Sequence, residues 1–342
     1  MKQTKKFITT SAIACAFFGA SYAHSAEVNL NLAHFMPQNS WQQETIFNDW
    51  KKAVEEQSNG RIAVTVYPSQ TLGRAPAGYD NAVSGITDIA WTVQGYTAGR
   101  FPLSQVLELP GLFETGAVGS CAFQKLYDSG TLDREYEETK VLYVHTHSPG
   151  HLHTRDTQVS SLEDLQGLKI RRPTAVIGEL LSELGAEPVG MPAPEVYPSL
   201  QRGVIDGYMF PWETIQSFRT GEITDYHLDF GFYSLAFVTT MNKDSYDELP
   251  SDLKKVIDDN SGMEWAVTAG QGYDDADVLS LEKIRASDAV ITQLSAEERV
   301  QWQAAADKVV KSYVAELDRQ GLPGSETLAS VKGYVEECKV GL

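Results

Sequence analysis

Arg171 is the residue in this chain best equipped for chemistry. It follows Gly167-Leu168-Lys169-Ile170, a short run that reads as a strand, which would put its guanidinium at a strand end. A guanidinium is a planar fork that matches a carboxylate, and it cannot be titrated away. The block from Asp164 to Pro211 supplies its surroundings. A helical stretch follows the arginine, Glu195-Val196-Tyr197 opens another helix, Gly203 makes a turn, and a second strand carries aromatic residues at its tip. Such a pattern can build a cleft for a small anion. The plainer reading is a surface arginine paired with one of the 46 acidic residues, an arrangement worth little energy. Arg172 should point to the opposite strand face and is given a structural role.

Four of the seven histidines, His145, His147, His151 and His153, cluster in one short segment. Each close pair is spaced i, i+2, which puts both rings on one face of a strand. Neutral imidazole is a good zinc ligand, so an exported metal-dependent hydrolase or lyase is one reading. No cysteine stands nearby and there is no His-Glu-x-x-His helix, so no metal site is assigned. A ligand-donor role for His151 or His153 is the second reading, and packed or solvated histidine the third. Aromatic residues sit at expected strand tips: Phe35, Trp91, Tyr96, Phe210, Trp212, Phe232 and Tyr233. Some of these would be core and some a pocket wall. The Gly-x-Ser-x-Gly elbow, the phosphate loop and the dinucleotide fingerprint are all missing. The chain therefore reads as a binder without a cofactor, not an enzyme.

These residues need a scaffold, and the apolar pattern describes one. Val28–Phe35, Ile62–Tyr67, residues 86–91 and Val141–His147 read as strands. Gln42–Ser58, Tyr79–Ser84, Ser251–Ser280 and Ala296–Gln320 read as helices. The alternation predicts an α/β fold with largely parallel sheets. Residues 81–91 echo residues 199–209: a helix end, a glycine (Gly85, Gly203), two residues, an aspartate (Asp88, Asp206) and a strand. The echo fits two similar lobes sharing a crevice. No long linker separates them, so several crossing segments should join the lobes.

The ends and the charge add limits. Lys2, Lys5 and Lys6 precede a short apolar run, Phe7–Ala20, and Ser25-Ala26 suits a signal peptidase. A cleaved signal peptide over residues 1–26 is expected, with a cut after Ala23 as the near alternative. Cys15 follows only a weak lipobox. A net charge of −18 repels nucleic acid and anionic lipid, and no later run is long enough to span a membrane. An anionic ligand would need a local cation working against this field. Cys121 and Cys338 remain in an oxidising compartment, either paired or as two buried thiols.

Taken jointly, several motifs resemble those of the solute-binding proteins of TRAP transporters. They are Asp164-Leu-Gln-Gly-Leu-Lys-Ile-Arg171, Leu184-Gly185-Ala186, Met191-Pro192, Glu195-Val196-Tyr197 and Asp206-Gly207. Tyr67-Pro68, Leu72-Gly73, Gly85-Ile-Thr-Asp88, Leu109-Pro110-Gly-Leu-Phe113 and Glu248-Leu249-Pro250 fit as well. The resemblance covers nearly the whole chain after residue 26. It implies a two-lobed periplasmic binding protein that closes on an organic acid and delivers it to an ion-driven membrane permease without ATP. The lobes would be residues 27–146 with about 235–275, and residues 147–234 with about 276–342. Arg171 stands where the family's carboxylate-binding arginine stands.

The chain also departs from the family pattern. His151 falls about where a second arginine is common, and Phe210 replaces a polar asparagine before Pro211. These changes point away from sialic acid and dicarboxylates, toward a monocarboxylate with an apolar or aromatic body. Phe210, Trp212 and Tyr233 would be its wall, and Glu213 or Gln94 would take a hydroxyl. Phe35, Trp91, Gln94 and Tyr96 would complete the site from the other lobe. A ligand sensor of the same fold is a further reading.

Overall fold

The alternating run Val28-Asn-Leu-Asn-Leu-Ala33 turns Leu30 and Leu32 into the core, each almost fully buried. It opens a computed structural model that describes residues 26–342. The expected signal segment therefore lies outside the described residues, except for Ala26. In chain order the strands are β1 (Val28–Ala33), β2 (Ile62–Tyr67), β3 (Ile89–Val93), β4 (Thr139–Thr146), β5 (Gly150–Thr154), β6 (Lys169–Arg172), β7 (Glu187–Gly190), β8 (Gly207–Phe210), β9 (Tyr226–Tyr233), β10 (Ala236–Asn242) and β11 (Val290–Gln293). They form two sheets, ordered β2-β1-β3-β10-β4 and β11-β9-β5-β8-β6-β7. Helices flank both, giving a two-lobed α/β architecture.

The echo in the sequence is a repeat in the structure. Gly85 and Gly203 end their helices with φ of +71° and +68°, a conformation glycine adopts without strain. Asp88 then accepts the Asn31 N–H of β1 at 2.8 Å, and Asp206 accepts the Lys169 N–H of β6 at 2.8 Å. In each sheet the carboxylate anchors the neighbouring parallel strand.

Three segments join the sheets. His147-Ser148-Pro149 separates β4 from β5, and Ser234-Leu235 separates β9 from β10. The two crossings lie side by side, because the Ser234 hydroxyl donates to the His147 carbonyl at 2.7 Å. The third link is the helix Met263–Arg285. Its Asp274 accepts the Gly116 and Ala117 N–H groups at 2.6 and 2.9 Å, at the start of the helix Gly116–Asp128 beside the first sheet. Its Asp277 accepts the Glu213 N–H at 2.7 Å, at the start of the helix Trp212–Ser217 beside the second sheet. A carboxylate at a helix N-terminus satisfies donors that have no intrahelical partner.

Two expected helices are modified. Ser251–Ser280 divides into Ser251–Asp259 and Met263–Arg285. Gly262 breaks it with φ of +78°, and its N–H donates to Leu142 of β4 at 2.7 Å. The helix expected over Gln42–Ser58 begins with a π-helical stretch, Gln43–Asn48, where Gln43 bonds both His34 and Asn48 at 2.8 Å. The last helix, Gly324–Gly341, packs on Gly116–Asp128. Cys121 and Cys338 form a disulfide there, with their Cα atoms 6.1 Å apart. Among the described residues no helix is long and apolar enough to cross a membrane.

Candidate ligand-binding site

Arg171 lies on β6 between Val189 of β7 and Tyr208 of β8, and its side chain is 1% exposed. Nε donates to the Met191 carbonyl at 3.0 Å and one terminal nitrogen to the Met209 carbonyl at 2.9 Å. The other terminal nitrogen donates to the Tyr96 hydroxyl at 3.3 Å. The Phe210 ring covers the guanidinium at 4.9 Å. Every one of these partners is neutral. A guanidinium has five N–H donors, so each terminal nitrogen keeps one hydrogen to spare. A buried cation held by neutral groups is electrostatically incomplete, and an anion is what completes it.

The space in front of Arg171 is a small cavity at the junction of the sheets. Phe35, Trp91 and Tyr96 enter it from the first sheet's side. Phe210, Pro211 and Glu213 enter from the second, Tyr233 from the end of β9, and His147 and Leu235 from the crossings. Phe35 packs on Trp91 and Tyr96 at centroid distances of 4.8 and 5.6 Å, so one wall is a continuous aromatic surface.

The two lobes meet over this cavity. Tyr96, from the first lobe, accepts from Arg171 and from the Ala193 N–H at 3.0 Å in the second. With both acceptor positions used, its own proton is left to donate. Burial pushes the phenol above its ordinary pKa, so that proton stays in place. Trp41 and Gln42 reach across to Glu213 at 2.7 and 3.0 Å. Gly95 faces Thr174 so closely that an added Cβ would lie 2.3 Å from its Cγ2 and 2.7 Å from its Cβ. Gly95→Ala is expected to hold the lobes slightly apart and weaken ligand binding by about tenfold, since overpacking costs ~1–3 kcal/mol. Calorimetry would measure the loss. Wild-type affinity would mean that this contact does not limit closure.

Residues 32–317 match bacterial extracellular solute-binding protein family 7, the DctP family. The chain belongs to this family. It is thus a periplasmic solute-binding protein of TRAP transporters, a carboxylate receptor that works with a membrane permease. The structure resembles a marine metagenome TRAP solute-binding protein specific for aromatic acid ligands, crystallised with 3-hydroxybenzoate. The two are 36% identical with a TM-score of 0.88, over 92% of this chain and 99% of that one. A TRAP solute-binding protein from Rhodoferax ferrireducens, crystallised with copurified benzoate, gives the same 36%, 0.88, 92% and 99%. A solute-binding protein of Roseobacter denitrificans is 26% identical over 282 residues, 79% of this chain and 82% of its own length.

In this TRAP receptor the other singled-out residues are spent elsewhere. Nδ1 of His151 lies 3.1 Å from both the Asp229 carboxylate and the Phe230 nitrogen, and its ring packs on Trp212 at 4.5 Å. His153 bonds His227 at 2.9 Å and the Phe210 carbonyl at 3.0 Å. His151, His153 and Trp212 support the sheet behind the cavity and do not line it. Gln94 turns its amide to the Tyr136 hydroxyl. Glu213 reaches the lining, but Trp41, Gln42, Thr214 and Ser217 already occupy its carboxyl oxygens. Arg172 packs over Gly178 and Gly190, where any Cβ would meet its side chain.

The alternative of a metal-dependent hydrolase or lyase is corrected. His145 accepts from Trp91 Nε1 at 2.8 Å and stacks on Phe237 at 4.8 Å, while His151 and His153 belong to the other sheet. His151 and His153 share β5, His147 lies just past the end of β4, and the two pairs do not converge. Among the described residues no group of histidines, cysteines and acids could hold a metal. Sequence reasoning missed the lining roles of His147, Phe237 and Tyr273. It read His147 as the last residue of a strand, whereas β4 ends at Thr146 and His147 falls where the chain changes sheets.

Burial pushes Glu108, beside the second crossing, up to about 7. A folded-state pKa raised above the unfolded one favours folding fully below about pH 4.5. That share is lost as pH rises through about 7. Glu108→Gln should therefore stabilise the protein more at pH 8 than at pH 5, by a difference on the order of 3 kcal/mol. Urea midpoints at the two pH values test this, and equal effects at both would sink it.

Proposed function

We propose that the receptor binds an aromatic monocarboxylate in this cavity, with Arg171 as its anchor. The observation that carries the reading is a buried guanidinium whose partners are all neutral and which lines a cavity walled by aromatic rings. The two spare N–H groups match the two oxygens of a carboxylate, and the Tyr96 proton can reach one of them. Arg171 is the one cation among the described residues that line the cavity. The second carboxylate of succinate or malate would lie unpaired among rings. The aromatic acids bound by two structural relatives support the same reading.

The lobes we take to close on this ligand are residues 27–146 with about 235–275, and residues 147–234 with most of residues 276–342. The helix Gly324–Gly341 packs with the first of them. Ligand favours the closed form because both lobes touch it only there.

A thermal-shift and calorimetric screen tests the proposal. Benzoates and phenylacetates should stabilise the protein, by about 2.7 kcal/mol at a hundred times Kd. Succinate, malate and sialic acid should not. Stabilisation by the dicarboxylates and by no aromatic acid would overturn it.

A further inference from the structure

Two residues of the cavity wall each carry a buried polar atom without a partner. Among buried side-chain atoms without a hydrogen bond, His147 Nε2 and Tyr233 Oη belong to lining residues. Each residue is 2% exposed. A polar group buried without a partner costs ~1–3 kcal/mol, and two in one cavity call for an explanation.

The tautomer of His147 follows from its other nitrogen. Nδ1 is in hydrogen-bond contact with the Ser148 carbonyl, which can only accept, so the ring proton sits on Nδ1. Burial pushes the imidazole down to about 3, which keeps it neutral. Nε2 is therefore a bare lone pair, and it needs a donor. The Tyr233 hydroxyl can both donate and accept. Its ring lies against Gly150, where any Cβ would come within 2.1 Å of it, so the ring is held in place. The two rings meet edge to face at 5.5 Å but do not hydrogen-bond each other.

Resting on the aromatic-acid reading above, we infer that His147 and Tyr233 read a hydroxyl group on the ligand, so that the preferred solute is a hydroxylated aromatic acid. One hydroxyl satisfies both atoms at once. It donates its proton to His147 Nε2 and accepts from Tyr233 O–H, while Arg171 holds the carboxylate. An acid with no second polar group leaves both atoms stranded. Sites built around a ligand hydroxyl discriminate strongly against analogues that lack it.

Calorimetry with matched pairs tests the inference: benzoate against its hydroxy isomers, and phenylacetate against its own. For the wild type, one hydroxy acid in a pair should bind at least tenfold tighter than its parent. His147→Phe removes the acceptor, and the preference should fall to threefold or less. His147→Gln keeps an acceptor and should restore part of it. Tyr233→Phe should reduce the preference while leaving some. Parents that match or beat every hydroxy isomer on the wild-type protein would overturn the inference and leave the aromatic-acid reading standing, a result that does not depend on any variant folding. An unchanged preference in a folded His147→Phe protein would also overturn it. Failure of every aromatic acid to bind would remove both readings together.

Discussion

Arg171→Ala is expected to lower ligand affinity by about two to four orders of magnitude. Removing one partner of a buried charged pair costs ~3–5 kcal/mol, because the other charge stays desolvated and uncompensated. At the proposed site the stranded group would be the ligand's carboxylate, in a cavity lined by Phe35, Trp91 and Phe210. Arg171→Lys should lose at least about tenfold. A lysine keeps the charge, but one ammonium cannot hold the Met191 and Met209 carbonyls and still present two parallel donors. The unliganded protein should suffer less than the complex, because the substitution to alanine also removes a buried cation with only neutral partners. Calorimetry on both variants, with thermal midpoints measured with and without ligand, separates the effects. An alanine variant that bound its acid as tightly as the wild type would place the site elsewhere.

Removing the Cys121–Cys338 disulfide should lower folding stability by about 4–5 kcal/mol. The bond joins residues 217 apart in sequence, and the entropy of closing a loop grows with its length. Both sulfurs are buried between the helices Gly116–Asp128 and Gly324–Gly341, so the bond also pins the last helix to the first lobe. The double variant Cys121→Ser, Cys338→Ser should show a lower urea midpoint, and reductant should no longer affect it. Ligand affinity should change little, since neither cysteine lines the cavity. An unaltered midpoint would mean that the last helix docks fully by packing alone.

Much of the scaffold was legible because it rests on local chemistry. Strand β2 falls on the β-branched run Ile62–Tyr67. The helix expected over Ala296–Gln320 forms as Ala296–Arg319, and Ser295 caps it by accepting the Glu298 N–H at 3.1 Å. The echo around Gly85 and Gly203 reflects the same turn and anchoring aspartate used twice. The break at Gly262 was less visible, because its N–H is held by Leu142, a residue far away in sequence.

The binding wall divides along the same line. Periodicity tells which residues share a strand face, and it placed His151 and His153 together on β5, whereas β4 ends at Thr146 and leaves His147 outside it. It does not tell which sheet a strand joins or where two sheets meet. His151 and His153 entered the second sheet, where Asp229 and the Phe230 N–H lie on Nδ1 of His151, and His227 and the Phe210 carbonyl occupy both nitrogens of His153. His147 fell on a crossing and kept a nitrogen free. The sequence by itself determined the α/β class, the family and the strand that carries Arg171, because local pattern and residue type carry them. Tertiary structure decided the pairing of the cysteines and which polar atoms were left unsatisfied in the cavity. Both depend on distances between parts of the chain far apart in sequence, and those distances exist only once the lobes have packed.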